Sequence, residues 1–522
     1  MKRALIAALA GALLVILAYP TISWAPLMVF AWTPLLVACR PAEGLAGLTW
    51  RQRLLAGWLM GFVARAVLFR WIAFSLAELS GLPPVVGWSA VAIFALWHGL
   101  WFGLFLAIAE PVRRAGDALR PGLGLLAVPV AFVAVEWVCP TLFNLPLGAA
   151  LWEVPPVSAI SALTGAQGTS FVCVGLSAVL AELWCTKGQG AGVPLRRRLA
   201  PTLVAVAVLL GFGLAWWGAH QASEPRRVLR VGVLQVNWTL EEKKSMTTKR
   251  RFELLGRLEE RLRAIEPETY DLLIASEGAY PLYWVVEDTP DAKLQPLVAA
   301  MARVKRAVAE GPKTDLIIGG LRHPPSGATR NSAVHITPDG QLAGYYDKQV
   351  LMPFGEKIPG QDWFPALKGS VPGVGVFDAG DTPCRFEAAG EVVACGICYE
   401  GLFPEHTRGD IADASVLLNL TIDTWFGRST APWFHLMAHS PRAAENGVPM
   451  LRSALTGVSA IIGEDGSPDA LLDLDETGML TAEVPLTDLT PPYRVLGPLF
   501  ALLCVLMTAL LLRRARRLER SA

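Results

Sequence analysis

The stretch VVACGICYEGLFPE, residues 392–405, changes character in its middle. VVACGI is apolar and rich in small and β-branched residues, and the chain turns polar at Tyr399-Glu400, just after Cys398. A short apolar run bounded in this way reads as a buried strand. Cys395 and Cys398 differ by an odd number of positions, so in a regular strand they face opposite sides. Upstream, CRFEAAGEVVAC (384–395) closes as a hairpin around Ala389-Gly390, which sets Cys384 opposite Cys395. In an oxidising compartment that pair can form a disulfide, and inert buried thiols are the plainest reading of all three. A zinc site needs a second ligand pair; Cys384 lacks the spacing and His406 has no companion histidine. A thioredoxin-type pair opens a helix with an exposed first thiol, whereas Cys395 lies inside the apolar run. Cys398 remains the thiol at a strand's carboxyl end, where active-site groups of α/β sheets collect.

Working outward, strand-like runs alternate with amphipathic stretches. VLRVGVLQV (228–236), DLLIAS (271–276), DLIIGGLR (315–322), NSAVHITP (331–338) and SVLLNLTI (415–422) read as strands. TKRRFELLGRLEERLRAI (248–265), with Phe252, Leu255, Leu258 and Leu262 on one stripe, and LQPLVAAMARVKRAVAE (294–310) read as helices. The alternation predicts a layered α/β domain over 228–490.

The rest of the chain is different in kind. Of 522 residues 53% are hydrophobic and 17% charged, and the mean hydropathy is +0.42. That is too apolar for a soluble protein and too charged for membrane helices alone. Candidate spans are 4–19, 22–38, 54–72, 85–108, 122–138, 157–183, 201–219 and 495–512, a multi-pass α-helical bundle of about eight. Met1-Lys2-Arg3 and the run after it also fit a signal peptide, with Ser23-Trp24-Ala25 a poor cleavage site; further apolar runs follow at once, so a retained span is expected. Lys2, Arg3, Arg40, Arg51, Arg53, Arg113, Arg114, Arg120, Lys187, Arg196–Arg198 and the tail RRARRLER all fall in alternate connections; the short connections between them hold no Lys or Arg. Cytoplasmic loops carry the positive charge, so both termini are expected in the cytoplasm and 228–490 outside it. The expected division is 1–222, a bundle of about seven helices; 228–490, an extracytoplasmic domain; and 494–522, a last span with a basic tail. Arg65 and Arg70 lie inside the third run, where a charge is expensive; Arg70 suits snorkelling from a helix end, while Arg65 is deeper and expected to face the interior. The net charge of +1 and the lack of a basic stretch in 228–490 argue against nucleic acid as a partner.

Two more segments end as 392–398 does. DLLIASEGAYP puts Glu277 just past an apolar strand, and GYYDKQVLMPFGEKIP carries Lys348 with Glu356 a short step on. Strand-end Glu, Lys and Cys are the parts of a thiol acyl-transfer site. A carboxylate takes the thiol proton, an ammonium stabilises developing negative charge, and sulfur attacks a carbonyl. The backbone N–H of Tyr399 with Lys348 would make an oxyanion hole. Singly, Glu277 also reads as a turn cap and Lys348 as a solvated charge. A papain-like pairing of Cys398 with His406 or His435 is a rival mechanism.

Together and in this order, Glu277, YDKQVLMPFGE (346–356) and CYEGLFPE (398–405) resemble the Glu-Lys-Cys motifs of the nitrilase superfamily. Such a domain between about seven spans and one more resembles the apolipoprotein N-acyltransferase family, over essentially the whole chain. Further matching stretches are LQVN (234–237), RNSA (330–333), NLTIDTWFG (419–427), APWFHL (431–436) and RAAENGVPMLRSALTGVSAIIGEDG (442–466). The resemblance implies an αββα sandwich and a monomer of the bacterial inner membrane. It implies that Cys398 takes an acyl chain from a phospholipid, usually phosphatidylethanolamine, and that a diacylglyceryl-modified cysteine at a lipoprotein's amino terminus receives it. Glu277 would be the general base, Lys348 the oxyanion stabiliser, and Glu356 and Glu400 their supports, with no metal and no cofactor. The chain departs from the family pattern at Ala275-Ser276 (commonly Trp-Pro), Ile422-Asp423 (Asn-Asp), Phe434-His435 (Gln-His) and Leu455 (Asn). These positions bear on acceptor identity, so an N-acyltransferase with another amine acceptor and a membrane-anchored amidase are the alternatives. The segments YPLYWVV (280–286), DWFPAL (362–367) and TWFGRSTAPWF (424–434) are aromatic-rich, as interfacial anchors are. Tyr283, Trp284, Trp363 and Trp425 are expected to face lipid from mobile loops; packing in the domain core is the other reading.

Overall fold

The computed structural model describes residues 1–20, 22–40, 47–81, 83–186, 193–325, 329–369 and 375–521, so Lys187 lies outside the described residues. The chain divides into two units, Met1–Phe74 with Pro83–Gln221 and Pro491–Ala522, and Ser75–Leu82 with Ala222–Thr490.

The first unit is helical. Pro84–Asp117, Gln167–Cys185 and Leu195–Ala222 are long and apolar enough to cross a membrane, and Trp50–Leu68 with Trp71–Ala77 qualifies as a fourth, bent by 47°. The first and last apolar runs form the helices Lys2–Ala18 and Leu499–Ser521, and the fifth forms Leu123–Val138. Besides the bent third run and the last, whose first residues belong to the short helix Pro492–Leu496, two more runs do not form single helices. The one over 22–38 is a 3₁₀ segment, Ala25–Phe30, followed by Thr33–Ala38, because Pro26 and Pro34 each supply a fixed φ and no N–H donor. The one over 157–183 begins with short turns, Pro155–Ser158 and Ser161–Thr164, before Gln167–Cys185. Helix Trp50–Leu68 starts at a capping box between Thr49 and Gln52 and packs on Pro84–Asp117 through small residues. A Cβ on Gly61 would stand 2.9 Å from Gly99 Cα, the close backbone approach that small residues permit in membranes. Arg65 does turn inward. Its guanidinium lies over the rings of Phe69 and Phe102, 5.4 and 5.7 Å from their centroids, in a cleft shared with His98 and Glu136. Arg70 is exposed.

The second unit contains β1 (Arg227–Gln235), β2 (Leu272–Trp284), β3 (Asp315–Arg322), β4 (Arg330–Ile336), β5 (Leu342–Asp347) and β6 (Phe386–Ala388). β7 (Glu391–Ile397), β8 (Val416–Thr421), β9 (Met450–Ala454), β10 (Ser459–Ile462), β11 (Pro468–Leu472) and β12 (Gly478–Leu486) complete the set. They form two six-stranded sheets, in the orders β12-β1-β2-β3-β4-β5 and β11-β10-β9-β8-β7-β6. The inner faces meet in a core of Val231, Ile274, Ile317, Cys395, Leu418 and Leu451 among others. The outer face of the first sheet buries Leu273, Ala275 and Leu316 against Leu255, Leu258 and Leu262 of helix Thr248–Arg263 and Met301 and Val304 of helix Gln295–Glu310. Helices Pro404–Ile411, Ala431–His439 and Pro441–Asn446 belong to the second sheet's half. The hairpin at 389–390 has the expected register: Phe386 faces Val393 and Ala388 faces Glu391. Ala389 and Gly390 both have positive φ, +54° and +70°, as a type I′ turn requires. Cys384 and Cys395 are free thiols.

Candidate active site

β2 does not stop at Ser276. It runs on to Trp284 through a register break between Ala275 and Tyr280. Gly278, at φ +68°, makes that break, since only glycine takes this conformation without strain. Glu277 therefore sits at a kink inside a strand rather than beyond its end. Its Oε1 accepts a 2.6 Å bond from Asn331 Nδ2, while Oε2 is buried with no hydrogen-bond partner among the described residues. Burial raises the Glu277 pKa above the ordinary carboxylate range; Lys348 opposes this and Glu356 adds to it.

Lys348 directly follows β5 and is 1% exposed. Its N–H donates to Asn331 O at 2.8 Å and its Nζ meets Glu356 Oε2 at 2.7 Å. Burial alone would push the ammonium down, but Glu356, Glu277 and Cys398 together hold its pKa above the ordinary lysine value. Glu356 is itself fixed: Oε2 also accepts from Met352 N–H at 2.8 Å, and Oε1 accepts from Asn331 Nδ2 at 2.9 Å. Asn331, on β4, thus bridges both carboxylates with one amide group.

Cys398 opens a 3₁₀ turn, Cys398–Leu402, directly after β7. Its φ is +53°, a region that costs a non-glycine residue about 1–3 kcal/mol and is frequent at active sites. Asn419 Nδ2 donates to Cys398 O at 3.3 Å and steadies the turn. Burial pushes the thiol's pKa up to about 12, with Glu277 and Asp423 adding to the rise and Lys348 opposing it. At neutral pH the sulfur is therefore protonated, and a base has to take the proton before it can attack.

Glu400 is buried and ties the Lys348 and Cys398 segments together. Its Oε1 accepts from Tyr346 OH at 2.9 Å and from the Gln349 and Val350 amides at 2.6 and 2.9 Å. Its Oε2 accepts from Ile397 N–H at 2.6 Å. Burial disfavours the anion, yet His406 (3.4 Å from Oε1), Lys348 and the Ile397 amide hold its pKa below the ordinary value. Tyr399 is buried with its ring against Phe403 at 5.0 Å.

The structure thus gathers Glu277, Lys348 and Cys398 within electrostatic reach of one another, with Glu356 and Glu400 in contact with the segments that carry them. The aromatic expectations divide. Trp363 is 82% exposed, and Tyr283 and Trp425 are half-buried. Trp284 is corrected: it is 2% exposed, on β2, stacked on Tyr280 with centroids 4.0 Å apart. The strand's continuation past Gly278 turns it into the core.

Sequence reading missed three side chains. Asn331 lay within a matching stretch but carried no assigned role. Arg452, on β9, is fully buried, with Nη2 2.7 Å from Asp423 Oδ2; an arginine inside the apolar strand MLRSA was the available signal. Asp423 in turn takes His435 Nδ1 at 2.9 Å, and burial with Arg452 holds His435 below its ordinary pKa, so its imidazole is neutral. The third, Lys243, reaches the site from the segment after β1. A Cβ on Gly278 would stand 3.2 Å from its Nζ.

The carbon-nitrogen hydrolase family profile matches residues 230–492, and the profile of the apolipoprotein N-acyltransferase N-terminal domain matches 11–179. The chain is 30% identical over 532 residues to the apolipoprotein N-acyltransferase of Chromobacterium violaceum, covering 98% of this chain and 94% of that one. It is 28% identical over 513 residues to that of Geobacter metallireducens, covering 96% and 93%. Among solved structures, the nitrilase-superfamily amidase from Nesterenkonia sp. AN1 aligns at 19% identity over 51% of this chain and 93% of its own, with a TM-score of 0.35. On the full-length relatives and the two profiles, the chain belongs to the apolipoprotein N-acyltransferase family, with a carbon-nitrogen hydrolase domain at its carboxyl side.

Proposed function

We propose that this protein moves an acyl chain from a membrane phospholipid, with phosphatidylethanolamine the usual donor, onto Cys398 and then onto the α-amine of a diacylglyceryl-cysteine apolipoprotein. The observation that carries the reading is Glu277: its Oε2 has no partner among the described residues, and its charge is felt by a thiol that burial keeps protonated.

In the first half-reaction Glu277 takes the Cys398 proton and sulfur attacks the donor's ester carbonyl. Negative charge gathers on the carbonyl oxygen, where Lys348 Nζ and the Tyr399 amide stabilise it. The C–O bond then breaks, the lysophospholipid oxygen takes the proton from Glu277, and a thioester remains. In the second half-reaction the lipoprotein amine attacks the thioester. Glu277 takes the amine's proton, and as the C–S bond breaks it passes that proton to the departing Cys398 sulfur, which restores both groups. Glu356 holds Lys348 Nζ in place through both steps, while Glu400 braces the Gln349–Val350 amides against the nucleophile's turn.

The same reading sets a monomer in the bacterial inner membrane through about eight spans, seven in 1–222 and one in 494–522, with both termini in the cytoplasm and 228–490 outside it. Both substrates carry long chains in the bilayer, and a site that buries them keeps water from the thioester.

Purified protein in detergent, incubated with phospholipid, should gain the mass of one acyl chain, and Cys398→Ala should gain none. Diacylglyceryl-cysteine lipopeptide added afterwards should remove that mass and gain it. Release of free fatty acid with the lipopeptide unchanged would overturn the transfer reading in favour of an amidase-type hydrolase. Transfer only to other amines would overturn the acceptor.

A further inference from the structure

Lys243 is an ammonium that the mechanism above does not use. It lies on a five-residue helix, Leu240–Lys244, held in place from both sides. A capping box between Thr239 and Glu242 starts the helix. Glu242 is gripped by Arg250 and by Arg257, the latter at 2.8 Å. Just before it, Trp238 is fully buried and its Nε1 donates to Ala279 O at 3.2 Å. That bond pins the segment to β2 two residues past Glu277. Lys243 Nζ therefore stands over Gly278, where a Cβ would be 3.2 Å away, with the Trp425 ring centroid 5.7 Å on.

No ion pair or hydrogen bond to Nζ exists among the described residues. Burial lowers the ammonium's pKa to about 8; Glu277 opposes that fall and Arg251 adds to it. A half-buried cation held this firmly, with no anion of its own beside a kinked strand, has the character of a vacant anion position. Glu277 cannot be its permanent partner, because that carboxylate has to gain and lose a proton in each half-reaction.

Resting on the proposed donor, we propose that Lys243 binds the phosphodiester of the glycerophospholipid while its ester carbonyl lies between Cys398 and Lys348, with the Trp425 ring lining the same position. The anion is the part of the donor that a neutral ester of the same acyl chain lacks, so the two donors separate this role from any effect on Glu277.

The test compares wild type, Lys243→Gln and Lys243→Arg in detergent, measuring Cys398 acylation with phosphatidylethanolamine and with a p-nitrophenyl ester of the same fatty acid. A charge-assisted hydrogen bond to the phosphate predicts a rise of about 10–100-fold in the phospholipid KM of Lys243→Gln. Any fall in its p-nitrophenyl ester kinetics, through the loss of a charge that Glu277 feels, should be at least about tenfold smaller than the loss with phospholipid, and Lys243→Arg should restore most of the phospholipid KM. Equal losses on both donors would overturn the proposal and make Lys243 a support for Glu277. No loss on either would overturn it too. Failure of the donor reading looks different: wild type itself would be acylated by the neutral ester and not by the phospholipid.

Discussion

Two segments, 280–286 and 362–367, are both rich in aromatic residues and have opposite fates. In the first, Tyr280 pairs with Gly320 and Trp284 with Arg322, so both belong to the first sheet. Gly320 gives the indole its room: a Cβ there would be 2.7 Å from Trp284 Nε1. In the second, Trp363 and Phe364 precede a single 3₁₀ turn, Pro365–Leu367, that joins no strand, and both rings are exposed. Aromatic content marks both as apolar; only the pairing of one with a glycine-bearing neighbour strand decides which is core. The signal was present in DLIIGGLR, whose paired glycines make space across the sheet.

The difference can be tested where it should be greatest. Trp284→Ala empties a packed position stacked on Tyr280 and should destabilise the domain by about 3–5 kcal/mol. A thermal or denaturant titration of the detergent-solubilised protein checks this. A loss below about 1 kcal/mol would mean that 280–286 behaves like 362–367 after all.

On the same strand, Glu277→Gln keeps an oxygen to accept from Asn331 and removes only the base. Acylation should slow by about 10²–10⁴-fold, with the melting temperature nearly unchanged. The two substitutions on β2 would then separate fold from chemistry, and a comparable slowing in a well-folded Trp284→Ala would blur that line. The expected pH profile has the same origin. Since burial raises the Glu277 pKa, the base form is lost as pH falls through a value above the ordinary carboxylate range of about 4.3. Acylation should therefore decline on the acid side earlier than an exposed carboxylate would allow, and a flat rate down to that range would remove Glu277 as the base.

How far the sequence carries follows from the same physics. The 384–395 hairpin was legible because its turn and its alternation are local, and Ala389 and Gly390 took the two positive φ values the turn needs. The carboxyl end of β7 was legible because apolar character stops within a residue or two of Cys398. The end of β2 was misread because Gly278 and Pro281 look like terminators, yet they mark a kink in a strand whose partner, β3, is a separate segment. Asn331 and Lys243 escaped for the same reason. Their importance lies in distances to Glu277 and Glu356, and nothing in RNSA or LEEKKS states those distances. In the helical part, apolar runs gave the helices but not their interruptions; Ala25–Phe30 is 3₁₀ because prolines fall where an unbroken helix would need donors.

The smallest effect belongs to the exposed segment. Trp363→Ala removes a ring that touches little of the domain, so stability should change by no more than about 0.5 kcal/mol. If the ring instead anchors in lipid, the loss will be confined to donor presented in a bilayer. Burying an indole at an interface removes apolar surface from water at roughly 25 cal/mol per Å², enough for a several-fold fall in rate on vesicles. In dispersed detergent the donor reaches the site without that anchor, and the variant should match wild type. Assaying the variant in both settings gives the comparison between the two segments its finest test. A fall in detergent equal to the fall on vesicles would mean that Trp363 contacts the reacting groups rather than the membrane, and the two aromatic segments would then differ in fold but not in their tie to the chemistry.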